Sequence, residues 1–92
     1  MASNHPEIRV YTTPVCGDCV AVKRALEQYG LHFTEVDITQ SEEATQKVER
    51  VNDGKRSVPT VEVGDQAVSL SRFTIRKFVD FMTAAGVSLS RP

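Results

Sequence analysis

The segment around Cys16 and Cys19 is the feature of this sequence that most restricts its fold and chemistry. A run rich in β-branched and aromatic residues ends at Thr12, and an apolar pattern with helical spacing begins at Gly17. The two cysteines therefore lie where a strand passes through a loop into a helix. Side chains three residues apart at the first turn of a helix can close a small disulfide ring. This placement indicates redox chemistry.

The two thiols are expected to have different roles. Cys16 precedes the first helical turn, where backbone N–H groups and the positive end of the helix dipole stabilise a thiolate. Cys19 is one turn further in and should be more buried. We therefore predict Cys16 as the nucleophile and Cys19 as the resolving thiol. Gly17 leaves Cys16 accessible, whereas the charge of Asp18 disfavours a nearby thiolate, only modestly if that carboxylate is solvated.

Two other interpretations of the cysteines compete with a redox pair. Both thiols could be buried as small hydrophobic side chains. They could also form half of a zinc site, but the histidines are only His5 and His32, and His5 falls in a segment expected to be disordered. The strand–loop–helix context favours the redox interpretation, and no resident metal is predicted.

Composition and charge indicate one small globular domain of 92 residues with a net charge of -1. This charge provides no basic excess for nucleic acid or an anionic membrane, and no segment resembles a membrane span. The N-terminus has no signal-peptide pattern, so we predict a reducing, cytoplasmic location, where a cysteine pair is more often catalytic than structural. We expect a disordered tail over residues 1–6, the domain over 7–86 and a C-terminal tail over 87–92.

Seven elements are predicted, in the order strand, helix, strand, helix, strand, strand, helix. The first two strands, at 7–12 and 31–38, are joined by a helix and should be parallel. The last two, at 60–63 and 66–70, should form an antiparallel hairpin. Ser41 and Ser71 are the expected N-caps of the second and third helices. The predicted fold is an α/β domain with a four-stranded mixed sheet and helices on both faces, which places Cys16 at the carboxyl end of the first strand.

A second signal is the Val58-Pro59 pair directly before the third strand. Proline at the start of a strand removes one backbone donor from the sheet. A cis bond at this position would expose the backbone N–H and C=O of Val58 to an extended, thiol-bearing peptide. An ordinary trans turn is the alternative.

These segments resemble the glutaredoxin branch of the thioredoxin fold. Residues 10–19, 35–38 and 56–61 carry the likeness in the family order, and residues 51–61 are most similar to mycoredoxins, actinobacterial proteins that act on mixed disulfides of mycothiol. The resemblance implies a thioredoxin-like fold, a catalytic Cys16–Cys19 pair and a cis-proline ledge for substrate. It also implies a substrate-binding surface that includes Thr13, Pro14, Val15, Arg56, Val58, Pro59, Ser71 and Arg72.

Two departures from the glutathione-using members bear on the thiol. Those members usually carry a Gly-Gly and acidic motif where this chain has Ser-Leu-Ser-Arg at residues 69–72, and many have a basic residue where this chain has Thr13. We therefore expect mycothiol as co-substrate, ahead of bacillithiol and glutathione. Arg56 and the expected start of the last helix, near Ser71 and Arg72, are candidate contacts for a thiol carboxylate. The other expected partners are S-thiolated or disulfide-bonded client proteins, and the chain is expected to be a monomer with no bound cofactor.

Two alternative functions stay open. A redoxin that donates electrons to ribonucleotide reductase and is itself reduced by thioredoxin reductase would need both cysteines. Such proteins carry a Trp near the C-terminus, and this chain has none. An iron–sulfur carrier would share a cluster between two protomers, each contributing Cys16, with two external thiols completing the four ligands.

Overall fold

The computed structural model describes residues 6–89. Its elements are β1 (Ile8–Thr12), α1 (Gly17–Gln28), β2 (Thr34–Asp37), a short 3-10 helix (Ile38–Gln40), α2 (Glu42–Val51), β3 (Thr60–Val63), β4 (Gln66–Ser69) and α3 (Ile75–Ala84). The four strands form one sheet in the order β2-β1-β3-β4. Strands β1 and β2 are parallel, whereas β3 is antiparallel to both β1 and β4. The predicted mixed sheet with three helices is confirmed.

Apolar residues form two clusters on opposite faces of the sheet. Because successive side chains of a strand point to opposite faces, Val10 and Tyr11 belong to different clusters. The larger cluster joins β1 and β3 to the helices α1 and α3, and its fully buried members include Val22, Leu26, Phe78 and Met82. The smaller one joins Tyr11 to Ala44 and Val48 of α2. Helices therefore cover both faces of the sheet, as predicted.

The second strand is shorter than predicted, because its expected first residues belong to the end of α1. Gly30 has a φ of 68°, and the N–H of Leu31 donates to the carbonyl of Leu26 over 3.0 Å. This is a Schellman-type helix end, in which the residue after the glycine folds back onto the helix. Leu31 is apolar because it closes α1 against the core, and the strand begins only at Thr34.

A left-handed glycine also ends α3, and the packing of the residue after it corrects the expected C-terminal tail. Gly86 has a φ of 84°, and the N–H of Val87 donates to the carbonyl of Met82 over 2.9 Å. Val87 is only 3% exposed and belongs to the larger cluster, and Leu89 packs against it. The packed chain therefore continues beyond residue 86. Residues 1–5 and 90–92 of the two expected tails lie outside the described residues.

The last helix begins later than predicted, and Ser71 is not its N-cap. The N-cap is Thr74, whose Oγ1 accepts the N–H of Lys77 over 3.1 Å. Arg72, which the prediction placed in the first helical turn, has a φ of 57°, and a right-handed helix cannot pass through that conformation. Because the helix cannot include Arg72, Ser71 is too far from its first turn, and Thr74 caps it instead.

Between residues 6 and 89, none of the helices combines the length and apolar character needed to cross a membrane.

Replacing Val87 with Ala tests whether this residue is part of the core. Removing two buried methyl groups should lower the free energy of unfolding by about 2 kcal/mol, measured by urea denaturation. The control is Ser88→Ala at the next, exposed position, which should change the stability by less than about 0.5 kcal/mol. Equal effects of the two substitutions would contradict the packing of Val87.

The carboxylate of Glu35 should make stability depend on pH. It accepts hydrogen bonds from Lys23 Nζ over 2.9 Å and Thr12 Oγ1 over 3.0 Å, and chiefly the Lys23 bond holds the pKa of Glu35 below its ordinary value of 4.5. A lowered pKa contributes stability above the unfolded-state pKa and loses it as the pH falls through the folded-state value.

We therefore expect Glu35→Gln to be less stable than the unsubstituted chain at pH 7, by no more than about 1 kcal/mol for this half-exposed ion pair. The difference in urea denaturation should disappear as the pH falls below 4.5. A difference that stays constant down to pH 3 would show that the charge of Glu35 is not its cause.

Candidate functional site

Cys16 and Cys19 occupy the start of α1, where they differ in exposure. Cys16 is the N-cap residue, with an extended backbone, and its Sγ accepts the backbone N–H of Cys19 over 3.0 Å. Cys19 lies inside the first turn and is 2% exposed, whereas Cys16 is half-buried. A disulfide joins them, so the structure is that of the oxidised pair. The expected difference in burial is present, and the roles assigned to the two thiols stay predictions.

This geometry suits thiol–disulfide exchange. On reduction, the N–H of Cys19 and the positive end of α1 face the sulfur of Cys16 and favour its thiolate. The sulfur of Cys19 is already within bonding reach of Cys16, so it can attack any disulfide formed at that residue. The predicted roles, Cys16 as the nucleophile and Cys19 as the resolving thiol, require an arrangement of this kind.

The surface beside Cys16 is exposed and largely apolar. Val15, directly before it, is 95% exposed, and Pro14 is also exposed, whereas Thr13 is half-buried. A groove of about 310 Å³ runs between α1 and the start of α3, and Gly17, Val20, Phe73 and Ile75 are among the residues that line it. Apolar side chains are therefore exposed both directly before Cys16 and in the groove that begins at Gly17 directly after it.

The strand register brings three loops to the edge of the sheet that holds Cys16. Tyr11 near the end of β1 pairs with Thr60 at the start of β3, and Thr60 pairs with Ser69 at the end of β4. The loops after β1, before β3 and after β4 therefore meet there. The Val58-Pro59 bond in the second loop is cis, as the resemblance implied. Pro59 is buried, and its carbonyl accepts the N–H of Leu70 over 2.8 Å.

A cluster of three hydroxyl groups joins the second loop to the third. The Oγ atoms of Ser57, Ser69 and Ser71 lie 2.7, 3.1 and 2.8 Å apart. Ser71 is thus one member of a hydroxyl cluster. The sequence analysis did not single out Ser57 or Ser69, because their meeting depends on the register of the hairpin and no local pattern marks it.

Asp18 joins the start of α1 to the loop after β4. Its two carboxylate oxygens accept the backbone N–H groups of Arg72 over 2.9 Å and Phe73 over 3.3 Å. Lys77 contacts the same loop, since its Nζ donates to the carbonyls of Ser71 over 3.4 Å and Arg72 over 3.1 Å. The sequence analysis considered Asp18 only as a charge near Cys16, and nothing local predicts partners 54 residues away.

Arg56 is directed towards α2. Its Nε donates to Glu49 of α2 over 2.9 Å, and its side chain is 71% exposed. The other candidate contact for a thiol carboxylate, the backbone at Arg72, is bonded to Asp18. The structure therefore brings residues 13–16, 58–59 and 71–72 to one edge, and it pairs both candidate carboxylate contacts with carboxylates of the chain itself.

Comparisons with known proteins agree with this architecture. The family model described as Glutaredoxin matches residues 8–68. A candidate glutaredoxin of Mycobacterium tuberculosis is 41% identical over 58 residues, which are 63% of this chain and 69% of that protein. Mycoredoxin 1 of Corynebacterium glutamicum is 38% identical over 58 residues, 63% of this chain and 71% of that protein. The structure of NrdH-redoxin from Escherichia coli, a glutaredoxin-like protein with a thioredoxin-like activity profile, matches with a TM-score of 0.61 at 33% identity, covering 68% of this chain and 80% of that one.

The difference in burial predicts that the two thiols react at different rates. After reduction and removal of the reductant, Cys16 should be alkylated by iodoacetamide at least about ten times faster than Cys19, because it is both more accessible and closer to the end of α1. Peptide mapping by mass spectrometry at short reaction times measures the two rates separately. Equal rates, or faster alkylation of Cys19, would contradict the assignment of Cys16 as the outer thiol.

Proposed function

This chain belongs to the glutaredoxin family and is a thiol–disulfide oxidoreductase, and from that premise we propose that it reduces mixed disulfides between cytoplasmic proteins and mycothiol. The observation that carries the proposal is the half-buried sulfur of Cys16 at the N-cap of α1, bonded to the buried Cys19. The 38% identity to mycoredoxin 1 supports mycothiol as the low-molecular-weight thiol.

The reaction begins with the thiolate of Cys16. It attacks the mycothiol sulfur of the mixed disulfide, the protein–mycothiol S–S bond breaks, and the protein leaves as a thiolate that takes up a proton. Cys16 is then disulfide-bonded to mycothiol. A second mycothiol thiolate attacks the mycothiol sulfur of this adduct, which releases mycothiol disulfide and restores the Cys16 thiolate. The net reaction consumes one free mycothiol, whose sulfur joins the mycothiol sulfur taken from the protein to form mycothiol disulfide, while the protein sulfur is reduced to a thiol.

Cys19 offers a second exit from the same adduct. Its thiolate can attack the sulfur of Cys16, which releases mycothiol and forms the Cys16–Cys19 disulfide seen in the structure. This branch removes the enzyme from the cycle until the internal disulfide is reduced. Cys19 is therefore dispensable for the main route and protects Cys16 when mycothiol is scarce.

The surface around Cys16 provides the substrate contacts of this proposal. Val15 and Pro14 stand exposed on one side of the sulfur, and Val58 and Pro59 lie in the neighbouring loop at the same sheet edge. Val15, Pro14 and the half-buried Val58 form an apolar surface for the client segment next to its modified cysteine, whereas the buried Pro59 supports its loop through the bond to Leu70. Ser71 and Arg72 line the third loop, where the mycothiol group is held.

The similarity to NrdH-redoxin favours a second candidate function. In that case the Cys16–Cys19 disulfide is an obligatory product, and a flavoprotein thioredoxin reductase restores both thiols. The electrons go to the disulfide of a client enzyme such as ribonucleotide reductase. The two candidates differ in whether Cys19 is needed.

Substitution of each cysteine by Ser separates the two routes. With a mycothiolated protein as substrate and mycothiol as reductant, Cys16→Ser should abolish the reaction, and Cys19→Ser should keep at least about a tenth of the rate, because the one-thiol route needs only the outer sulfur. The release of the unmodified protein is followed by mass spectrometry. Complete loss of activity in Cys19→Ser would overturn the one-thiol route. Efficient NADPH oxidation through thioredoxin reductase by the unsubstituted chain, absent in Cys19→Ser, would establish the second candidate in its place.

A further inference from the structure

We propose that Asp18 determines which thiol the enzyme accepts, and that it favours a thiol without a free carboxylate. Its own carboxylate occupies the backbone N–H groups of residues 72–73 in the loop after β4, which we call the Arg72 loop. The inference rests on the proposed function, since it concerns the low-molecular-weight thiol bound at that site. It assigns to Asp18 a role in specificity in addition to its contact between α1 and the loop.

The Arg72 loop presents two adjacent backbone donors to one carboxylate. Arg72 has a φ of 57°, and the consecutive N–H groups of Arg72 and Phe73 converge on the two oxygens of Asp18 at 2.9 and 3.3 Å. Turns with one left-handed residue form concavities of this kind that bind anions. The Nζ of Lys77 donates to the carbonyls of Ser71 and Arg72 in the same turn. A carboxylate of the chain therefore already fills the concavity.

The carboxylate that fills the concavity belongs to Asp18, so it is covalently part of the active-site helix and cannot dissociate. Asp18 lies between the two cysteines in the first turn of α1, with Cys16 as the N-cap of the same helix. A free carboxylate on an incoming thiol would have to displace Asp18 from the Arg72 and Phe73 donors, or remain unbonded beside a like charge. The second candidate contact, Arg56, is ion-paired with Glu49. Both contacts thus already have carboxylate partners within the chain, at the Arg72 and Phe73 N–H groups and at the Nε of Arg56.

The structures of the three candidate thiols indicate which of them this arrangement favours. In mycothiol the cysteine carboxyl is tied up in an amide with a sugar, so the molecule has no acidic group to place. Glutathione and bacillithiol both carry free carboxylates. Two like charges about 4 Å apart in water lower the binding affinity by about fivefold, and dissolved salt weakens that repulsion. A neutral thiol pays no such cost.

The test compares two forms of one disulfide. Glutathione disulfide and the disulfide of glutathione diethyl ester share the same reacting sulfurs, and only the first carries carboxylates. We measure kcat/KM for both with the full chain, with Asp18→Asn and with Asp18→Ala. Asn keeps the shape of the side chain and one accepting oxygen, whereas Ala frees both backbone donors. Glu27→Gln, an exposed acidic residue further along α1, is the matched control for loss of one negative charge.

We expect the unsubstituted chain to prefer the ester, and this preference should shrink as the salt concentration rises. Both Asp18 variants should raise the ratio of kcat/KM for the acid to that for the ester by about fivefold or more. Glu27→Gln should leave the ratio unchanged. If the Asp18 variants change both substrates by the same factor, Asp18 acts only in positioning α1 and the proposal is overturned. The salt dependence of the unsubstituted chain decides the matter even if the variants fold poorly, since a ratio insensitive to salt also overturns it.

Failure of the specificity proposal is separable from failure of the proposed function. Mycothiol disulfide is included as a third substrate for the unsubstituted chain. Activity on it, together with an acid-to-ester ratio that does not depend on Asp18, would overturn only the role of Asp18. Absence of exchange with all three disulfides would overturn the proposed function and, with it, the inference that rests on it.

Discussion

The antiparallel pairing of β1 with β3 is the interaction on which the rest of this structure depends. Four residue pairs, from Ile8 opposite Val63 to Tyr11 opposite Thr60, fix which ends of the two strands lie side by side. A slip of one residue would turn the apolar side chains of β1 to the wrong face and move the loop that carries Cys16 away from the loop that carries Pro59. The position of the outer sulfur relative to its surroundings is therefore set by main-chain pairing in the centre of the sheet.

Buried Thr60 shows how this pairing is extended into the neighbouring loop. Its Oγ1 donates to the carbonyl of Ser57 over 2.7 Å and accepts from Asn52 Nδ2 over 3.0 Å. A hydroxyl that is 1% exposed is costly unless it is bonded, and here both its donor and its acceptor functions are satisfied. The same contacts tie the end of α2 and the loop before β3 to the first residue of the strand. The cis Val58-Pro59 segment thus lies between Ser57 and Thr60, which the Oγ1 hydrogen bond joins directly.

The sequence predicts most of this architecture, because much of it depends on local patterns. The bounds of β3 and the N-cap at Ser41 agree with the prediction, and the strand–loop–helix setting of the cysteines is directly readable. Two of the errors share one physical origin. Leu31 and Val87 are apolar because each follows a left-handed glycine and packs against the end of a helix. The sequence pattern instead predicts Leu31 in a strand and Val87 in a tail. A search for Gly followed by an apolar residue would have found both.

The contacts that could not be predicted are those between residues distant in sequence. The hydroxyl cluster of Ser57, Ser69 and Ser71 requires the hairpin register, and the bond from Asp18 to the Arg72 loop requires α1 and that loop to meet. From sequence alone, Asp18 counts as an unfavourable charge next to a thiolate. In the folded chain its oxygens bond to two N–H groups, and the dipoles of those groups partly balance its charge.

Cys16 at the N-cap shows that the site trades stability for chemistry. Ser, Thr, Asp and Asn are the preferred N-caps, and sulfur is a weaker acceptor for the N–H of Cys19 than an oxygen would be. The helix that bears the redox pair therefore begins with a poor cap, and Asp18 compensates by attaching its first turn to the loop after β4. The residue that holds the weakly capped helix in place also fills the donors next to the sulfur. In this chain, support of the active-site helix and exclusion of an anionic ligand are the work of one carboxylate.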